Sequence, residues 1–179
     1  MQRRPPSPSD PIGSRTGVWL TYLDYLREEA IAVVESVTED EASTSRVASG
    51  WTPLELLGHL RHVERRWIVW GFLGEAVDDP WGDQRDGRWV VEPGATRAQL
   101  ARALRGQGEV TRAVVESHDL DDPARPGPRF LEGAPPPTLE RILFHLLQEY
   151  ARHVGHLDLV AEAWSTGASP RGADDQPRA

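Results

Sequence analysis

The chain has no cysteine among its 179 residues, which excludes disulfide staples, thiolate zinc knuckles and any cysteine nucleophile. A reaction on sulfur would have to use a thiol brought in from outside. Lysine is also missing: all 20 basic residues are arginine, so Schiff-base chemistry through a lysine amine is excluded. No apolar run approaches the roughly 20 residues needed to span a bilayer, so no membrane partner is expected. The opening MQRRPPSPSDPIGSRTG has arginines without the apolar segment of a secretory leader, and the cytoplasm is the expected compartment. Positive charge is scarce as well. The net charge is -8 and no arginine cluster marks one face, which removes the electrostatic drive for nucleic-acid binding.

With 39% hydrophobic and 27% charged residues, the composition is that of an ordinary globular domain. Four segments have helical periodicity and none shows sustained two-residue alternation, so the expected class is all-α, a four-helix bundle with long crossover connections. Residues 16–166 should form the bundle, between a flexible lead (1–15) and a flexible tail (167–179). The first helix is expected over about Gly17–Val37, with Leu20, Leu23, Leu26, Ile31 and Val34 on its buried side. "GWTPLE" announces the second: Thr52 caps it, Pro53 takes the first helical position, and Glu55 completes a capping box. It should reach about Gly74. "TRAQ" starts the third with Thr96 and Gln99 as another box, ending near His118; the fourth begins after Thr138 and runs through Trp164. The connections over about 75–95 and 118–137 are long, and long crossovers let consecutive helices run parallel. The first contains Trp81 and Trp89, which predicts that it packs on the bundle.

Polar residues then fall where a core is expected. At 100° per residue, Leu56, His59, Val63 and Trp70 lie within about 60° of one another, which puts His59 in an apolar stripe. On the fourth helix His145, Glu149 and His153 are spaced by four and His156 falls between them in angle, so the strip should face inward. Burying a carboxylate and several imidazoles without partners costs several kcal/mol or more. A divalent metal would compensate: Glu149 and His153 can grip it from one helix while His59 approaches from the other. Two histidines and a glutamate leave a fourth position open, as in catalytic zinc sites, although nickel, iron or manganese also accept these donors. The same residues fit a second account, in which the Glu–His pair is satisfied by Arg66 or Arg152 and no metal binds. His145 and His156 fit as ligands, as partners orienting a ligand, or as seam residues. His62 and His118 read as hydrogen-bonded or exposed histidines. Trp67 and Trp70 could line an apolar substrate cavity, and Arg65, Arg66 and Arg152 could pair with carboxylates of a bound molecule.

"GWTPLELLGHL" followed by "EYARHVGHLDL" resembles the DinB-like superfamily over about residues 16–166, in particular a branch grouped as a domain of unknown function. The usual DinB ending, His-x-x-x-His-x-Gly-Gln, is altered: Glu149 replaces the first histidine and His156 the glutamine. In this the chain is similar to mycothiol-dependent maleylpyruvate isomerases and mycothiol transferases, which use a His, Glu, His zinc set. The resemblance implies His59, Glu149 and His153 as ligands, His156 as a neighbouring polar residue, zinc as the metal and mycothiol as cosubstrate. The implied activity is a metal-dependent thiol transfer or isomerisation on a small electrophile, with metal-assisted hydrolysis as a variant. A non-catalytic metal-binding or stress-associated bundle is the competing class, and both monomer and homodimer are compatible with the chain.

Overall fold

A computed structural model describes residues 4–130 and 135–166. The tail expected over 167–179 lies outside them. Helix α1 (Arg15–Ser36) is capped by Ser14, whose hydroxyl accepts from Gly17 N–H. A single turn, α2 (Glu39–Ala42), follows in the polar link after α1. Thr38 and Glu41 close a capping box around it, of the same i, i+3 type as the boxes recognised elsewhere. Helix α3 (Pro53–Arg65) starts on the Thr52–Glu55 box and α4 (Arg97–Ser117) on the Thr96–Gln99 box. Thr138 caps α5 (Leu139–Ser165). No helix among the described residues is long and apolar enough to cross a membrane.

The second helix does not stay α-helical to its end. From Arg66 to Phe72 it continues as a π-helix, with Leu73 N–H donating to Ile68 O five residues back at 3.0 Å. Within the following connection, Gln84–Arg85 (β1) pairs antiparallel with Arg88–Trp89 (β2). Asp86 and Gly87 turn this hairpin at φ 51° and 75°, which a type I′ turn requires and an Asp-Gly pair supplies. Strands of two residues are too short for alternation to show, so periodicity missed them.

Side-chain pairs set the helix directions. Arg15 and Trp19 bond Glu140, so α1 and α5 run parallel. His59 lies against His153 and Trp67 against His145, so α3 and α5 are antiparallel. Glu64 with Thr111 and Phe72 with His118 make α3 and α4 parallel, as the first long connection predicts. The second long connection departs from that expectation. Its ends meet where Leu139 N–H donates to Asp122 O and Glu140 N–H to Leu120 O, so α4 and α5 are antiparallel and the extra length is laid over the end of the bundle.

Leu23, Ile31, Leu56, Leu60, Leu104, Leu143 and Leu146 fill the core with no more than 1% exposure. A polar knot lies among them. Glu64 is completely buried, receives Arg27 Nη2–H at 2.5 Å, Tyr150 O–H at 3.0 Å and Thr111 O–H at 3.2 Å, and so joins all four long helices. Asp24 binds the remaining arm of Arg27 at 2.5 Å. Gly108 makes this possible, because a Cβ there would come within 2.6 Å of the Arg27 guanidinium. Removing one member of a buried ion pair strands the other, at a cost of about 3–5 kcal/mol. Glu64→Gln is therefore expected to destabilise the bundle by about 3 kcal/mol in urea unfolding, and Tyr150→Phe by about 1 kcal/mol. A loss below about 1 kcal/mol for Glu64→Gln would show that the knot contributes little.

Candidate metal centre

His59 is carried on the buried face of α3, one turn below Val63, and is 7% exposed; His153 on α5 is 5% exposed. Their rings meet edge to face with centroids 5.1 Å apart. Glu149, one turn before His153, completes the group: its Oε2 is 3.2 Å from His153 Nε2 and 4.0 Å from His59 Nε2. One donor atom from each of these three residues lies within 4.8 Å of the others. Two helices thus bring together the three residues singled out from the sequence.

The centre has a support that sequence reasoning missed. Asp83, from the turn before β1, is wholly buried and accepts from His59 Nδ1 at 2.8 Å. Arg66 forks onto the same carboxylate at 2.5 and 3.2 Å and donates to Pro80 O at 3.1 Å. With its hydrogen on Nδ1, a neutral His59 ring presents the Nε2 lone pair toward Glu149 and His153. Trp89 stacks on His59 at 4.3 Å and 20°, and meets His153 edge to face at 5.2 Å. The loop expected to pack on the bundle therefore supplies both the carboxylate behind the ring and the indole that covers it. Trp89 also lines a cavity of about 340 Å³ with Ser49, Trp51, Glu55 and Arg88.

Several expectations are corrected. Arg66 does not await a ligand: it is 3% exposed and is neutralised by Asp83. Nor does it satisfy Glu149, which faces imidazoles instead of a guanidinium. His156 does not look inward; it is exposed, against Trp51 at 6.0 Å and His153 at 5.5 Å. At 100° per residue, His145 and His156 lie about 60–80° round the helix from His153, on the side away from Tyr150, and so fall at the edge of the buried strip. His145 keeps 37% of its side chain exposed and sits with Nε2 3.4 Å from Glu149 Oε1. It rests on Trp67 at 4.5 Å, while Trp70 meets Trp81 at 6.4 Å. Arg152 lines an open cleft of about 420 Å³ with His145, Gln148 and Glu149. His62 and His118 bond backbone carbonyls at 3.0 Å.

Electrostatics favour positive charge at the centre. Hydrogen bonding to His153 and then His59 holds the Glu149 carboxyl well below the ordinary carboxylate range. Burial works against a charged His59, yet hydrogen bonds to Asp83 and Glu149 outweigh it and raise its pKa. Burial lowers that of His145, and burial with the charge of His153 lowers that of His156. His153 Nδ1 is buried without a hydrogen-bond partner among the described residues.

A four-helix bundle with two imidazoles and a carboxylate converging from its second and fourth long helices is the class that fold and site define. Residues 18–165 match the family model for Mycothiol-S-transferase, and the chain belongs to that family. A comparison with curated proteins finds no match.

Asp83 makes the titration of His59 a direct check in metal-free protein. A raised folded pKa gives stability that is fully present below the unfolded value near 6.5 and is lost as pH rises through the folded one. Followed by ¹H–¹⁵N NMR, His59 is expected to titrate above His145 and His156, and Asp83→Asn to bring it down. An unchanged His59 titration in that variant would show that the contact does not govern the ring.

Proposed function

We propose that the protein is a metal-dependent mycothiol S-transferase acting on a small electrophile, with His59, Glu149 and His153 as its metal ligands. The convergence of these donors within 4.8 Å, in a chain of the Mycothiol-S-transferase family, carries the reading. The residues suit a divalent cation on their own chemistry. Two imidazoles and a carboxylate are the donor set of open zinc sites, and the group already stabilises positive charge. Zinc is the metal these borderline donors fit best, and nickel, iron or manganese are compatible with them.

A cation held there supplies Lewis acidity, which lowers the pKa of a thiol or water brought to it. The chain's own residues set up the rest. His59 is locked in one tautomer by Asp83, and Asp83 is held by Arg66. Trp89 stacks over the His59 ring on the α3 side. The α5 side stays open, since Glu149 is about a quarter exposed and forms part of the 420 Å³ cleft with His145, Gln148 and Arg152. Neither His145 nor His156 joins the converging donors, which favours a catalytic site over a closed structural one. In the overall transfer the thiol S–H bond is replaced by a bond from sulfur to the electrophilic carbon, and that carbon's leaving group, chloride in the case of monochlorobimane, departs with the proton. With no cysteine of its own, the chain offers no competing thiol. The cytoplasm, where small thiols are kept reduced, is the compartment this chemistry needs.

The test uses purified protein stripped by chelator, reloaded with zinc, and given mycothiol and monochlorobimane. Conjugation is expected to require metal, to return with about one equivalent of zinc, and to fall at least about 100-fold in His153→Ala and Glu149→Gln. Equal rates in stripped and loaded protein would overturn the reading.

Asp83 gives a second outcome. Asp83→Asn is expected to weaken zinc binding about 10- to 100-fold in competition with a chromophoric chelator, with unchanged helical circular dichroism. An affinity within about twofold of the parent would contradict the support assigned to Asp83.

A further inference from the structure

Arg129 lies in the connection between α4 and α5, where the chain crosses the π-helical segment. Its guanidinium carbon is 4.0 Å from the centroid of Trp67, 5.2 Å from Trp70, 5.8 Å from Phe130 and 6.0 Å from Trp81. Gly71 leaves it room: a Cβ there would come within 3.2 Å of Arg129 Cδ. Aromatic faces satisfy the flat sides of a guanidinium but not its N–H edge. Nε of Arg129 is buried and bonds to nothing among the described residues.

The two arginines buried to less than 5% exposure are neutralised: Arg27 by Glu64 and Asp24, Arg66 by Asp83. Arg129 has no carboxylate partner among the described residues, and the charge acting on it is that of Arg66, which together with burial lowers its pKa. A guanidinium held against aromatic faces, with no carboxylate partner among the described residues, is a receptor for an anion. Its position relative to the centre follows from one indole. Trp67 stacks with Arg129 and also touches His145 at 4.5 Å, and His145 Nε2 is 3.4 Å from Glu149 Oε1. The charge of Arg129 also helps to depress the pKa of His145.

We propose that Arg129 is the anion receptor of this centre and that the acceptor substrate carries a carboxylate, which docks on its guanidinium with its apolar part against Trp67 and Trp70. One guanidinium without a carboxylate partner among the described residues matches one negative charge, and its fork matches the two oxygens of a carboxylate. A phosphate dianion would call for a second free cation, and Arg66 is already taken by Asp83. The role as acceptor rests on the transferase reading above; the binding event does not.

Isothermal titration of the whole chain with benzoate, benzamide and phenyl phosphate tests this, in metal-free protein so that no probe can ligate a metal, and again with zinc. Benzoate is expected to bind at least about tenfold more tightly than benzamide and than phenyl phosphate. Arg129→Gln should reduce benzoate to the benzamide level, and Arg129→Lys, which keeps the charge without the fork, should fall between. Arg102→Gln, on the exposed face of α4, should change nothing. Benzoate binding no tighter than benzamide in the parent protein, or unaltered in Arg129→Gln, would overturn the proposal, and so would tighter binding of phenyl phosphate. The parent comparison of benzoate with benzamide stands even if Arg129→Gln fails to fold. A zinc-loaded protein that conjugates mycothiol but ignores benzoate would sink this inference alone. Benzoate binding at Arg129 without transfer activity would sink the transferase reading alone.

Discussion

The buried carboxylate of Asp83 is the constraint on which the site depends. A helix can place an imidazole at a chosen height and angle, but it cannot choose which ring nitrogen carries the hydrogen. Asp83 makes that choice for His59 by accepting from Nδ1, leaving Nε2 to face Glu149 and His153. Such a carboxylate would be costly in the interior if left alone, and Arg66 offsets the cost with two hydrogen bonds. The loop that contributes Asp83 also contributes Trp89, stacked on the same ring. The long first connection is therefore part of the centre and not a cover for it.

The π-helical segment ties this support to the rest of the bundle. Arg66 is its first residue, and Trp67 and Trp70 lie within it. Single-turn π segments recur at functional sites because the wider turn re-aims side chains that a regular α-helix would place elsewhere. Here Arg66 reaches Asp83 while Trp67 meets His145 and Arg129. Just before it on the same helix, Glu64 gathers Arg27, Thr111 and Tyr150. Two polar layers thus follow one another along the seam between α3 and α5, each satisfied by partners from other elements. The Glu64–Tyr150 hydrogen bond across this seam, together with the ring contacts of His59 with His153 and Trp67 with His145, resists the axial sliding that would separate His59 from Glu149 and His153.

Local signals in the sequence were the ones that could be read. Capping boxes at Thr52 and Thr96 depend only on residues three apart, and apolar periodicity located the four long helices. His59, Glu149 and His153 stood out because ionisable groups interrupt apolar stripes, and resemblance to a known metal triad separated them from His145 and His156. Asp83 was hidden because Asp78, Asp79, Asp83 and Asp86 share one acidic loop, and only tertiary placement distinguishes the one that reaches a histidine. Arg27 and Glu64 look like ordinary surface charges until a glycine on a third helix, Gly108, is seen to admit the arginine. Arg66 was matched to a bound molecule or to Glu149 for the same reason: its partner is 17 residues away in the chain. His156 shows the limit of angular reasoning, since a difference of about 60° separates a buried ring from an exposed one at the edge of a strip.

The most direct measurement of the central claim is a crystal structure of the zinc-loaded protein with anomalous diffraction recorded on both sides of the zinc edge. One ion is predicted, bound by Nε2 of His59, Nε2 of His153 and the Glu149 carboxylate, with Asp83 still hydrogen-bonded to His59 Nδ1. An anomalous peak away from these three residues, or a His59 ring that has turned from Asp83 to bind through Nδ1, would contradict the account.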